Sequence, residues 1–487
     1  MEVSVNNKYC VRNEKGCSYI ICKTTLSNIK EKSYPFVMPI PPIYGYILSF
    51  FDGGEKESTI NKITSCINIK KEKIVAFITK ILENPYPYVT YINGLKVYLP
   101  SFLLIESCNK SDVFTDEDFY PYDRFAPKRP SRPFFINLMI TSKCYTNCIY
   151  CYADRHRQDD MDIESVMRII DNAKKEKIPN VLISGGDVLA IKDWQIILGK
   201  LTSLGYPQII STKVPLGEDD LIFLNNNNID RLQISIDSFE DSELFNIVKV
   251  NSSYFRKMKQ TFICAEKFNL SIDVKTVLTK YNANIRTLKH MHDELLKYKC
   301  IKSWNIVPAF FSSYNELDYN TYRVDVETLK VLLNFLRVLV SPFAIEYKKI
   351  EDAIFVIQEK YSSETEFVQK NKGCIANIYG LSIMSNGRAT VCEMLYYNEN
   401  FYIGDANKDS IKKIWNSHLA SEFNFRNKIE KSNSPCYSCE ELDRCKRSNL
   451  KKICVVDVIN THGADKWEYP DPRCPRSVNT RVDKVIY

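Results

Sequence analysis

No stretch of the 487-residue sequence reaches the roughly eighteen consecutive apolar residues that a membrane-spanning helix requires. The opening residues, Met1 to Lys8, are polar and lack the apolar centre of a secretory signal, so a cytoplasmic location is expected. Neither sign of charge dominates. Lysine and arginine number 66 against 59 acids, and the resulting +7 is too small by itself to argue for nucleic acid. The histidines show no metal-ligand spacing, and no internal repeat or low-complexity tract is present. Hydrophobic residues at 45% and charged residues at 26% match an ordinary globular protein, which excludes a disordered chain, collagen and a small disulfide-stapled scaffold. At roughly 150 residues per domain the length allows about three folded units.

Cysteine is the exception, with seventeen residues. A reducing compartment disfavours disulfides, and the chain is long enough to bury a core without them. Metal or cluster ligation is the leading explanation, and the odd total would leave one thiol over after complete pairing.

Three zones follow. Residues 1 to 120 open with a hairpin in which Tyr9 to Arg12 and Ser18 to Cys22 flank the turn-prone Asn13 to Gly16. Helical periods at Ile43 to Phe51, Ser58 to Cys66 and Lys71 to Leu82 precede an extended stretch, Tyr88 to Leu99, a pattern that fits a winged helix-turn-helix. Prolines at 121, 127, 130 and 133 mark 121–133 as an extended linker. From residue 134 to about 360, apolar runs at Phe134 to Ile140, Asn180 to Ser184, Gln208 to Ser211, Arg231 to Ile236, Ser271 to Leu278 and Ser303 to Pro308 alternate with helix-like stretches. Repeated strand-helix units predict an α/β fold with a parallel sheet, open or partly closed into a barrel, and chemistry at the carboxyl ends of its strands. Residues 361–487 hold seven cysteines among short turns.

The sharpest signal is Cys144-x3-Cys148-x2-Cys151, directly after the first apolar run of the central zone. Soft thiolates suit iron-sulfur clusters or zinc, and a closed structural site takes four ligands, whereas three leave one corner for a substrate. The competing reading is a structural zinc loop. The later cysteines are Cys374, Cys392, Cys436, Cys439, Cys445, Cys454 and Cys474, with Gly387-x4-Cys392 followed by Cys436-x2-Cys439-x5-Cys445. A zinc ribbon built from four of them competes with cluster ligation. The other seven cysteines, at 10, 17, 22, 66, 108, 264 and 300, read mostly as small buried hydrophobes.

The first spacing, with the aromatic Tyr150 just before the last cysteine, resembles the signature of the radical S-adenosylmethionine (radical SAM) superfamily. Ser184-Gly185-Gly186-Asp187 ends the second strand where that family binds the SAM amino group, with Asp187 at a position the family usually fills with Glu. Ser235 and Asp237 after the fourth strand, and Lys275 near the fifth, resemble ribose and carboxylate contacts. The resemblance implies a partial (β/α)6 barrel in which Cys144, Cys148 and Cys151 hold a catalytic [4Fe–4S] cluster. It further implies reductive cleavage of SAM to methionine and a 5′-deoxyadenosyl radical that abstracts hydrogen from substrate.

The carboxy-terminal cysteines resemble the SPASM extension of radical SAM peptide-modifying enzymes, which carries two auxiliary [4Fe–4S] clusters. Carried over residue by residue, Cys436, Cys439, Cys445 and Cys474 would ligate one cluster, and Cys374, Cys392 and Cys454 the other. The family's fourth central cysteine falls on Asn449 here, five residues before Cys454. Ahead of these domains, Pro42 to Lys62 resembles the winged-helix leader-recognition element of ribosomal peptide maturases, which takes up an extended leader as an added strand. The resemblances together imply a maturase of a precursor peptide carrying a leader, forming a thioether, carbon-carbon or ether crosslink. The implied electron donor is a flavodoxin or ferredoxin, with neither membrane nor nucleic acid as partner. Two other readings are a sulfatase-maturating enzyme and a winged-helix redox regulator that binds duplex DNA. Lys70, Lys71, Lys73 and Lys80 would suit DNA, but Glu72 and Glu83 interrupt them.

Overall fold

The computed structural model describes residues 1–23, 35–154, 159–312, 314–315, 317–358, 361–371, 374–396, 398–425, 433–447 and 453–477. Among these, no helix is long and apolar enough to cross a membrane. The chain divides into two compact units, Met1–Phe135 with Ala173–Val181, and Ile136–Asn172 with Leu182–Tyr487.

Among the described residues, the first unit has nine short strands: β1 (Glu2–Val5), β2 (Tyr9–Glu14), β3 (Cys17–Cys22), β4 (Val37–Ile40), β5 (Asp52–Glu55), β6 (Tyr88–Ile92), β7 (Leu95–Leu99), β8 (Leu104–Glu106) and β9 (Val113–Thr115). They form sheets in the orders β5-β1-β8, β4-β3-β2-β9 and β6-β7. The expected opening hairpin is β2-β3, and it turns on Gly16 at φ +77°, a conformation glycine adopts without a Cβ penalty. The helices are Pro42–Leu48, Lys56–Cys66 and Lys71–Ile81, and the last buries Ile74, Ile78 and Ile81 along one face. The expected extended stretch is the hairpin β6-β7, turning on Asn93 and Gly94, both left-handed.

Residues 121–133 are tied to this unit. The Ala126 N–H donates to Gly16 O at 2.9 Å, and Ser131 N–H to Glu14 at 2.8 Å. Arg132 pairs with Asp116 at 3.2 Å and Glu176 at 3.1 Å, while the buried Arg12 also reaches Asp116 at 3.2 Å. Side chains and backbone groups along the segment thus anchor it.

The second unit contains the expected alternation of strands and helices. Its strands are β10 (Phe135–Thr141), β11 (Asn180–Gly185), β12 (Ile210–Thr212), β13 (Arg231–Ser235), β14 (Ser271–Leu278), β15 (Ile301–Pro308), β16 (Ala344–Glu346), β17 (Gly380–Ile383), β18 (Arg388–Thr390) and β19 (Tyr402–Asp405). β12 to β16 run parallel in chain order, as Ile234↔Val274 and Val274↔Trp304 register shows. The first two strands of the alternation lie in a second sheet, ordered β11-β10-β17-β18-β19. The hydrogen-bonded ladder is thus interrupted between β11 and β12, and a side chain spans the interruption. Asp187, just past β11, accepts from Thr212 Oγ1 at 2.8 Å and from the Lys213 N–H at 2.7 Å at the end of β12. The β17-β18 hairpin, turning at Gly387 with φ +80°, extends the sheet from β10.

Candidate cluster and SAM site

β10 buries Ile136, Leu138, Met139 and Ile140 and delivers the cysteine loop from its carboxyl end. The loop backbone is held from several sides. Asn147 and Ile149 donate their N–H groups to Val248 O at 3.0 Å and Ile247 O at 2.9 Å, carbonyls at the end of helix Asp241–Val248 that have no partner within the helix. Asn315 Nδ2 donates to Ile149 O at 2.7 Å, and Ser312 Oγ to Tyr152 O at 2.9 Å. Cys144 is exposed, whereas Cys148 and Cys151 are half-buried. Three thiols therefore stand on one immobilised loop.

The glycine motif packs against the base of that loop. Gly186 N–H donates to Thr141 O at 2.8 Å, and Asp187 N–H to Lys143 O at 2.7 Å. A Cβ on Gly185 would lie 2.0 Å from Thr141 O, and one on Gly186 would lie 1.9 Å from Lys143 O. Gly185 also sits at φ +130°. Both positions demand glycine because backbone meets backbone there. Ser184 donates to Asn137 Oδ1 at 2.5 Å.

Asp187 is buried, and its oxygens already accept from Thr212, Lys213 N–H and Leu189 N–H. Burial raises its carboxyl above the ordinary 3.8, with those hydrogen bonds and Lys213 opposing. Asp237 is fully buried. Its Oδ2 accepts from Tyr150 Oη at 2.6 Å and Lys213 Nζ at 3.0 Å, and its Oδ1 from Val277 N–H at 2.8 Å. Ser235, the last residue of β13, is the register partner of Lys275, midway along β14. Burial raises the Cys148 thiol, while Lys213 lowers it and Asp237 raises it. The structure thus brings Tyr150, Cys148 and Asp237 together, and sends the Ser184 and Asp187 side chains to protein partners.

Lys213 was not singled out by the sequence. It follows a three-residue strand and reads as a loop lysine, although Thr212-Lys213 closing an apolar run at a carboxyl strand end was the available signal.

The carboxy-terminal cysteines fall into two groups. Cys436, Cys439, Cys445 and Cys474 line one partly open cavity, together with Phe367 and Arg476. Cys374 is an electrostatic neighbour of both Cys392 and Cys454. Cys454 precedes helix Val455–His462; burial holds its thiol well above the ordinary 9.0, the Asp457 carboxylate adds to this, and the Asp457 N–H and Arg473 oppose it. Buried Asp457 is paired with Arg473 at 2.8 Å. Asn449 lies outside the described residues. Among the described residues, no three His, Cys, Asp or Glu side chains converge as for a lone ion. A cubane takes each thiolate on a different iron and so spaces its ligands more widely. Three soft thiolates on the first loop and four lining one cavity fit cubane clusters as donor sets.

The radical SAM superfamily model matches residues 138–295, and the SPASM iron-sulfur cluster-binding domain matches residues 374–440. The chain carries a radical SAM domain and a SPASM domain. With these it uses SAM and a [4Fe–4S] cluster, and its SPASM domain binds auxiliary iron-sulfur clusters. The chain is 31% identical over 111 residues to the probable GTP 3′,8-cyclase of Methanothermobacter marburgensis, a match covering 22% of this chain and 35% of that protein. It is 27% identical over 158 residues to the S-adenosylmethionine-dependent nucleotide dehydratase of Selenomonas ruminantium, covering 31% and 58%. The chain therefore spans between about a third and just over half the length of these curated relatives. Among solved structures it is similar to Streptococcus suis SuiB bound to precursor peptide SuiA, with a TM-score of 0.63 and 16% identity over 97% of this chain and 99% of that one. At that identity the likeness is one of fold.

Proposed function

We propose that this enzyme modifies a ribosomally synthesised precursor peptide by hydrogen abstraction, forming a crosslink of the thioether, carbon-carbon or ether type. The observation that carries this reading is the extent of the likeness to SuiB. It runs through both units of the chain, amino-terminal unit included, and that protein is bound to a precursor peptide. The matches to nucleotide enzymes cover from 22% to 57% of the chain, so each leaves a large part of it without a counterpart.

When bound, SAM and the catalytic cluster supply a 5′-deoxyadenosyl radical, the species that abstracts hydrogen. The protein's part is to hold and orient. Cys144, Cys148 and Cys151 would hold that cluster, and Asn315, Ser312 and the end of helix Asp241–Val248 fix their loop. Gly185 and Gly186 would let the SAM amino group come close to the backbone at the end of β11, beside Ser184 and Asp187. Ser235, at the end of β13, and its register partner Lys275 on β14 would face its ribose and carboxylate. Cys436, Cys439, Cys445 and Cys474 would hold one auxiliary cluster, and Cys374, Cys392 and Cys454 would supply ligands to the other.

The amino-terminal unit would bind the leader along a sheet edge, and β5 and β8 are the edges of its three-stranded sheet. Tethering the leader raises the effective concentration of the residues to be modified, so they need no tight pocket of their own. A flavodoxin or ferredoxin would deliver the electron. Anaerobic incubation of the reconstituted enzyme with SAM, reductant and a leader-bearing precursor peptide tests the reading. A mass loss of two hydrogens, abolished when the leader is removed, is the expected result. SAM cleavage with no change in the full-length peptide would refute it.

A further inference from the structure

Lys213 carries its ammonium into the interior beside the cysteine loop. Its side chain is 14% exposed, it pairs at 3.0 Å with an Asp237 that is 0% exposed, and it lies 5.8 Å from the centroid of the Tyr150 ring. Tyr150 sits between Cys148 and Cys151 in sequence and uses its hydroxyl on Asp237 at 2.6 Å. Asp237 is itself fixed by the Val277 N–H on β14, and Lys213 by its backbone N–H to Asp187 and by Nζ to Ser235 O at 3.3 Å. A buried cation and a buried anion, each held from two sides, therefore flank the loop that carries the three thiolates.

We infer that Lys213 and Asp237 are positioning residues for the cluster on Cys144, Cys148 and Cys151, fixing the loop through Tyr150 and setting, with opposite signs, how readily that cluster accepts an electron. The inference rests on the reading of those cysteines as cluster ligands. Reduction adds one negative charge to a group already made anionic by its thiolates. Reduction potentials of such clusters respond to net charge, hydrogen bonding and solvent exposure. A fixed charge acts far more strongly in a water-poor interior than at the surface. The Lys213 ammonium favours the reduced state and the Asp237 carboxylate opposes it. A purely structural latch would not predict effects of opposite sign, because loss of either partner would only loosen the loop.

The test is a redox titration of the full-length, anaerobically reconstituted protein, followed at the electron paramagnetic resonance signal that SAM perturbs. Lys213→Gln is expected to lower the one-electron reduction equilibrium about tenfold, ~59 mV toward the negative. Asp237→Asn shifts it the other way, the double variant returns near the wild type, and Lys213→Arg stays near it. Shifts of one sign in both single variants, or no shift, overturn the inference. If Lys213→Gln fails to retain iron, Asp237→Asn decides: a positive shift supports the inference and its absence overturns it. A wild-type protein that binds no iron on this loop would instead sink the ligand reading.

Discussion

Tyr150 donates its hydroxyl to Asp237 at 2.6 Å, linking the cysteine loop to the carboxyl end of β13 inside one buried site. Tyr150→Phe keeps the ring and removes this bond, leaving Asp237 to Lys213 and Val277. The loss of one donor to a buried carboxylate costs about 1–3 kcal/mol. Iron should leave the reconstituted variant faster than the wild type under a chelator, with the far-ultraviolet circular dichroism unchanged. Equal rates of loss would show that the bond does not hold the loop.

Gly186 carries a sharper expectation. Its Cβ would lie 1.9 Å from Lys143 O, the residue before Cys144, so Gly186→Ala must displace the start of the cysteine loop. SAM cleavage should be lost while the protein still folds. Gly199→Ala is the control, because a Cβ there meets its nearest neighbours at 3.9 Å within a helix. Equal activity of the two variants would remove the packing argument.

The two cysteine groups should separate in their consequences. Cys148→Ala is expected to abolish 5′-deoxyadenosine formation. Cys439→Ala, in the four-cysteine cavity, should leave some SAM cleavage but prevent peptide modification, and should destabilise the surrounding turns because cluster binding contributes to their folding. Iron analysis and product assays on both variants check this. Full modification by Cys439→Ala would remove the auxiliary site from the reaction.

Glu14, beside buried Arg12, predicts a dependence on pH. Burial holds its carboxyl above the ordinary 4.5, with Ser131 and Arg12 opposing. Because the folded value is the higher one, the folded state binds more protons, and stability falls as pH rises from 4.5 through the folded value. Glu14→Gln should flatten that part of the stability profile in urea melts taken across the window. An unchanged slope would mean that Glu14 titrates alike in folded and unfolded chains.

Periodicity and cysteine spacing made much of the architecture legible. Each of the six apolar runs forms a strand within a few residues of its expected limits, and the opening hairpin turns where Gly16 permits. The division of those strands between two sheets was not legible. It depends on Asp187 clasping Thr212 and Lys213 where the backbone ladder is absent, a contact between residues 25 and 26 positions apart that no local pattern encodes. The sequence places Gly185 and Gly186 in a strand-end motif, and the structure adds a packing reason for them in the carbonyls of Thr141 and Lys143. Lys213 was hidden because a lysine after a short strand ordinarily points to solvent, and only tertiary packing shows it turned inward.

The account depends most on an open iron held by Cys144, Cys148 and Cys151, and electron paramagnetic resonance of the dithionite-reduced, anaerobically purified protein with and without SAM tests it most directly. The account predicts a cluster signal whose shape changes on adding SAM, and no SAM-dependent change in the Cys148→Ala variant. An iron-free wild-type protein, or a signal that SAM leaves unaltered, would contradict it.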